Sequence, residues 1–134
     1  MTHIPSRRSV WSGRVLTALP VLFMVFDLGI KAVGHPAVAE TSAKLGLPVS
    51  LAPICAALIA ACLVLYLVPR TAVLGAVLMT GYLGGAVLVH ARVGNPLLSH
   101  TLFPIYVGAL FWVGLYLRDP RVRALFQSRK ETAP

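Results

Sequence analysis

Few ionisable side chains lie within or beside the apolar parts of this sequence, and these are the residues that could do chemistry. The candidates for binding a ligand or a partner are Asp27, Lys31, His90, Arg92 and His100, and His35 belongs to the same set of polar residues. A charged or titratable group at membrane depth is costly, so it indicates a functional site unless it only ends a helix at the lipid interface. Both interpretations stay open for these residues.

The spacing of these residues does not match a catalytic or metal centre. Three histidines could hold a zinc ion, but the sequence has neither HxxxH nor HExxH. It also lacks a Ser-His-Asp signature, and GYLGG at 81–85 differs from the phosphate-binding GxGxxG. We therefore predict no catalytic residue, no metal ligand and no identifiable cofactor ligand, so that independent catalysis is not expected.

Four apolar runs must position these residues. The sequence is 57% hydrophobic and 12% charged, which excludes an ordinary soluble domain. The runs cover about 14–33, 49–68, 71–91 and 96–117, and each is long enough to cross a ~30 Å hydrocarbon layer as a helix. Since lipid offers the backbone no hydrogen bonds, such runs must be helical. The predicted fold class is an all-α membrane protein, a single domain over 1–134 that forms a four-transmembrane-helix bundle with short loops.

Basic residues flank these runs unevenly. With both termini on one side of the membrane, that side holds Arg7, Arg8, Arg14, Arg70, Arg118, Arg121, Arg123, Arg129 and Lys130. The other side holds only Lys31, Lys44 and Arg92. The positive-inside rule then predicts a bacterial inner-membrane protein with cytoplasmic termini. Residues 118–134 are predicted to be a basic cytoplasmic tail whose amphipathic segment lies on the anionic leaflet, so the charge of +8 does not indicate nucleic acid.

The third run is rich in small residues. Gly81 and Gly85 form a GxxxG, and Gly84 belongs to a second row of small residues with Ala76 and Thr80. Such rows let helix backbones approach closely in lipid, so we predict that the three glycines pack against a neighbouring helix. The alternative is a glycine-lined cavity that admits the tail of a ligand.

The fourth run contains a proline. Pro104 is predicted to kink the helix and to free the backbone carbonyl of His100 one turn earlier. A free carbonyl beside a histidine could form part of a polar pocket, or the kink could serve packing alone. On the preceding helix, the ~100° rotation per residue predicts that His90 and Arg92 face different neighbours.

Several motifs in these runs resemble the DoxX-like family of small bacterial four-helix membrane proteins. They are VPRTAVLG at 68–75, TGYLGGA at 80–86, HARVGNP at 90–96 and GLYLRDP at 114–120, and the resemblance covers about 15–125. LGIK at 28–31 and His35-Pro36 also fit the family pattern, whereas Asp27 stands where a serine is more usual.

The resemblance implies a function as well as a fold. The family takes its name from subunits linked to quinone-dependent thiosulfate oxidation, and other relatives are tied to redox-stress complexes. It therefore implies an accessory or anchoring subunit of a membrane redox complex, with a quinone as the candidate cofactor. Two alternatives stay open: a small-molecule binding or transport bundle with an outward-facing pocket, and a non-catalytic assembly protein that acts through Gly81 and Gly85.

Overall fold

The computed structural model describes residues 6–127, and every regular element in this range is helical. The helices are α1 (Arg7–Ala32), α2 (Pro36–Lys44), α3 (Ala52–Leu67), α4 (Ala72–Arg92), α5 (Phe103–Arg118) and α6 (Pro120–Phe126). A 3₁₀ turn over Val49–Leu51 leads into α3, and a π-helical segment over Leu97–Thr101 precedes α5.

Within residues 6–127, four stretches are long and apolar enough to cross a bilayer. They are Arg7–Ala32, Val49–Leu67, Ala72–Arg92 and Leu97–Arg118. At most 33% of the apolar window of each stretch is buried inside the protein, so most of the apolar surface faces outwards. Outward-facing apolar surface on this scale requires lipid around the bundle. The prediction of an all-α, four-helix membrane protein is confirmed.

The first helix begins earlier than the predicted span. The Ser6 hydroxyl accepts a hydrogen bond from the Ser9 amide at 3.2 Å and caps α1. The helix therefore includes a basic first turn with Arg7 and Arg8, whereas the predicted start at residue 14 marked only where the apolar run begins.

Most of the packed core lies in the half of the bundle where α1 begins and α5 ends. The Tyr66 hydroxyl on α3 donates to the Phe111 carbonyl on α5 at 2.7 Å, and their rings meet edge to face at 4.8 Å. On the other side of α5, the Trp112 indole donates to the Thr80 hydroxyl on α4 at 2.8 Å. Hydrogen bonds of this kind hold neighbouring helices together, because lipid offers no donors or acceptors that would compete for these groups.

The closest helix approaches use glycines other than the predicted ones. A Cβ at Gly75 would collide with the backbone of Tyr66, and a Cβ at Gly114 would lie 2.5 Å from the Thr17 hydroxyl. Glycine at these positions lets α4 approach α3 and lets α5 approach α1.

Gly81, Gly84 and Gly85 do not have the packing role predicted for them within this chain. No atom of a neighbouring element lies within 4 Å of a Cβ built at any of the three. The physical reason is that Gly81 and Gly85 face open space between the helices, and Gly84 lies exposed on the outer surface of α4.

The fourth apolar run is broken and not simply kinked. Its first part is the π-helical segment, in which the Leu102 amide donates to the Leu97 carbonyl at 2.9 Å. Pro104 then lies in the first turn of α5, where a missing amide hydrogen removes no helical bond. The predicted kink inside one continuous α-helix is therefore replaced by a change of helix type before the proline.

Helix α6 packs against α5 at the end of the bundle where α5 ends. Asp119 caps it by accepting from the Arg121 amide at 2.9 Å, and the hydrogen bond from the Arg121 side chain lowers the pKa of the Asp119 carboxyl. Val122 is fully buried against the core, whereas Leu125 and Phe126 are exposed. Arg129 and Lys130 of the predicted basic tail lie outside the described residues.

Candidate functional site

A cavity of about 560 Å³ lies in the half of the bundle away from the chain ends, and we call it the upper cavity. Its deepest part is formed by Met24, Leu83 and Val107, which are buried and belong to the core. Most other lining residues are apolar as well; the polar ones include Asp27, Lys31, Thr41, Ser42, Cys55, Tyr82 and His90. Pockets that bind small organic molecules usually have volumes of about 300 to 1,000 Å³ and this kind of lining.

Helix α2 covers the upper cavity. One face of the helix lines it, through Ala37, Val38, Thr41, Ser42 and Leu45. The segment is fixed at its start by His35, whose Nδ1 accepts from the Ala37 amide at 3.1 Å. The helix ends at Lys44, and Gly46, two residues later, has a positive φ of 64° that suits glycine.

Arg92 holds the other end of this cover. Its guanidinium donates to the Leu45 carbonyl at 2.6 Å and approaches the Gly46 carbonyl at 3.5 Å. A cation at the last carbonyls of a helix satisfies acceptors that have no partner within the helix. Arg92 therefore ties α4 to the end of α2 and does not line the upper cavity.

Asp27 and Lys31 form an ion pair in the α1 wall of the upper cavity. The lysine ammonium donates to the aspartate one turn earlier, and the side chains are 20% (Lys31) and 24% (Asp27) exposed. Each charge offsets the other, so the wall carries polar donors and acceptors without a net charge. An ammonium has further N–H donors after this contact.

The α4 wall combines open space with two hydrogen-bonding side chains. Gly81 and Gly85 leave room, while Tyr82 and His90 line the cavity about two turns apart. The Asn95 side-chain amide lies 2.7 Å from His90 Nδ1. An amide nitrogen donates, so this contact suits the tautomer of His90 that accepts at Nδ1 and donates from Nε2.

His100 lies beside this site and does not line it. Its ring centroid is 6.3 Å from that of His90, and its Nδ1 lies 2.8 Å from the Ser99 hydroxyl. The residue is exposed in the π-helical segment. Among residues 6–127, no three histidine, cysteine or acidic side chains lie close enough to share a metal ion.

The structure thus brings three of the five candidate residues together. Asp27, Lys31 and His90 line one cavity, whereas Arg92 and His100 lie outside its lining. Tyr82 was missed, although it lies two helical turns before His90 and so shares its face of α4. Thr41 and Ser42 were missed because nothing in the sequence shows that α2 folds over this cavity.

Replacing Arg92 with alanine should loosen the cover. A hydrogen bond to a charged group contributes about 1.5 kcal/mol, so we expect amide hydrogen exchange in residues 36–48 to become about tenfold faster. The matched control is Arg70→Ala, which removes an exposed arginine at the opposite end of the bundle. Equal exchange rates in both variants and the wild type would show that Arg92 does not hold α2.

Replacing Asp27 with asparagine should destabilise the bundle because it leaves the Lys31 ammonium unpaired in an apolar wall. We expect a double-mutant cycle of Asp27→Asn and Lys31→Met to give a coupling of about 1 to 2 kcal/mol in the free energy of unfolding. Denaturant unfolding in detergent micelles measures it. Strictly additive changes in the free energy of unfolding would show that the Asp27–Lys31 ion pair contributes nothing to stability.

The fold and the upper cavity define a class, a small helical integral membrane protein with a partly open, mostly apolar cavity and a few polar groups in its walls. The model of the DoxX-like family matches residues 15–114. The chain therefore belongs to the DoxX-like family, as its motifs predicted. The comparisons with curated proteins and with solved structures gave no match.

Proposed function

We propose that this protein binds a small amphiphilic molecule whose apolar body fills the upper cavity and whose head group accepts hydrogen bonds from its walls. The observation that carries this proposal is the cavity itself, about 560 Å³ with a buried apolar end at Met24, Leu83 and Val107. A bundle built only for assembly has no need of such a space. The alternative of a glycine-lined cavity therefore fits Gly81 and Gly85 better than a packing role.

The polar groups favour a neutral head group with carbonyl oxygens. Lys31, Tyr82 and His90 supply donors from two facing helices. Asp27 offsets the charge of Lys31, so a ligand does not need a negative charge to bind in this cavity. A quinone meets these requirements, since its carbonyls accept hydrogen bonds and its tail is apolar. The residues present therefore fit the cofactor that the family resemblance implies.

The wider role follows from the ligand. A quinone-binding bundle without redox ligands of its own would serve as an accessory or anchoring subunit of a quinone-linked membrane complex. We assign it to a bacterial inner membrane with cytoplasmic termini, because most basic residues among 6–127 collect at the end of the bundle where α1 begins and α6 lies. A transport bundle would use the same cavity for a molecule that it releases.

Equilibrium dialysis of the purified protein in micelles against a decyl-substituted benzoquinone tests the proposal. We expect saturable binding of one molecule per chain. His90→Ala should weaken it about five- to tenfold by removing one hydrogen bond. His100→Ala is the matched control, because it removes a neighbouring histidine that does not line the cavity. Binding that does not saturate would contradict the proposal, and so would an equal loss of affinity for the benzoquinone in both variants.

A further inference from the structure

A second pocket, of about 380 Å³, lies at the opposite end of the bundle, and we call it the basal pocket. Its lining consists of Val10 and Arg14 from α1, Pro69 and Ala72 around the turn between α3 and α4, and residues 118–121 at the corner between α5 and α6. Three arginines against one aspartate give this lining a formal charge of +2. Nothing in the proposed function of the upper cavity uses it.

Two of the three arginines are held in place by other contacts. The Arg118 guanidinium lies 4.9 Å from the centroid of the Tyr66 ring, and it donates to the Tyr66 carbonyl at 3.4 Å. Arg121 donates to the Asp119 carboxylate from Nε at 3.2 Å and from Nη2 at 2.8 Å. Because these side chains are already ordered, a ligand loses less conformational entropy when it binds them.

Both guanidinium groups keep free donors. The contacts of Arg121 with Asp119 and with the Pro69 carbonyl use Nε and Nη2 and leave the Nη1 hydrogens. The Nε of Arg118 is buried and has no hydrogen-bond partner among residues 6–127. A buried donor of this kind costs free energy until an acceptor reaches it.

Arg14, its neighbour Trp11 and the apolar lining residues indicate that the basal pocket lies at the head-group level of the membrane. Arg14 is exposed, and no side chain or carbonyl in residues 6–127 accepts a hydrogen bond from it. Trp11, beside it on the first turns of α1, is 67% exposed, and tryptophan settles at the head-group level of a membrane. Val10, Pro69 and Ala72 add apolar surface next to the arginines.

We propose that the basal pocket binds the phosphate group of an anionic phospholipid. Guanidinium groups bind phosphate oxygens through paired hydrogen bonds, and the charge of +2 complements the anion. The apolar lining and the depth marked by Trp11 suit the glycerol and the first acyl carbons of a lipid, which free phosphate lacks. The proposal is independent of the ligand of the upper cavity.

Native mass spectrometry of the delipidated protein tests this site. We titrate with phosphatidylglycerol and, in parallel, with phosphatidylcholine of the same acyl chains, and we expect tighter binding of phosphatidylglycerol. The double variant Arg14→Gln, Arg121→Gln should weaken that binding about 25-fold, about fivefold for each arginine. The matched control, Arg7→Gln with Arg8→Gln, removes the same charge from the same end but outside the pocket lining and should change binding less than twofold.

A second variant distinguishes a loss of lipid binding from a loss of folding. Arg14→Gln alone breaks no hydrogen bond among the described residues, so it should keep the thermal midpoint and still lose about fivefold. Equal losses in the pocket variants and in the control would assign binding to diffuse surface charge and overturn the proposal. Equal affinity for the two lipids would overturn it as well. Displacement of the lipid by millimolar inorganic phosphate would assign the site to free phosphate instead.

Discussion

Gly85→Leu is expected to weaken binding of the decyl benzoquinone about 100-fold while the unfolding midpoint stays close to that of the wild type. Gly85 lines the upper cavity, and no atom of a neighbouring element lies within 4 Å of a Cβ built there. A Cβ at this position therefore has open space around it, and the longer leucine side chain extends into the space that the ligand needs. Changes of one methylene in a pocket already alter affinity about 10- to 200-fold, so four added carbons should have a large effect.

Gly84→Leu is the matched control for this loss. Gly84 is the preceding residue, has equally open surroundings, and does not line the cavity. We expect its affinity for the benzoquinone to stay within about twofold of the wild type. Equal affinities in the two variants would show that the ligand does not bind in the upper cavity. Loss of a co-purifying partner with Gly85→Leu, without loss of ligand, would support the assembly alternative.

Gly75→Ala is expected to destabilise the protein by about 3 kcal/mol. The added methyl group would collide with the Tyr66 backbone, so α4 would have to move away from α3. That movement would also disturb the buried hydrogen bond from Tyr66 to Phe111. Overpacking of this kind costs about 1 to 3 kcal/mol, and here the obstacle is backbone, which cannot rotate away.

Gly84→Ala tests the same substitution on the same helix without the close approach. Alanine is favoured over glycine in a helix by about 1 kcal/mol, so this variant should be neutral or slightly more stable. Thermal unfolding in detergent micelles compares the two variants. A Gly75→Ala protein as stable as the Gly84→Ala protein would show that α3 and α4 are not in contact at Gly75.

The membrane fold could be predicted because the length and apolarity of a run decide whether it spans lipid. The helix contacts could not, since small residues at suitable spacing show that a close approach is feasible but not where it occurs. GxxxG at Gly81 and Gly85 was the stronger signal, yet the contact uses Gly75, whose partner Tyr66 is identified only by the tertiary structure. Likewise, Pro104 predicted a break without showing that a π-helical segment would precede it.

Part of the candidate site could be predicted because ionisable side chains at membrane depth are rare, so the few that occur mark candidate positions. Asp27, Lys31 and His90 fit that rule and line the upper cavity. Arg92 fits it equally well, but its guanidinium ends at the carbonyls of Leu45 and Gly46, since α2 folds within its reach. The position of α2 depends on packing across the bundle, and no local pattern in its sequence fixes it.

The most direct test of ligand binding in the upper cavity is photo-crosslinking with an azide-bearing decyl benzoquinone, followed by peptide mapping. We predict adducts on α2 and on the 81–90 segment of α4 that disappear when excess unlabelled benzoquinone is present. Adducts that fall on outward-facing residues such as Leu22 and Val64, which are 66% and 62% exposed, and that persist under competition would contradict it.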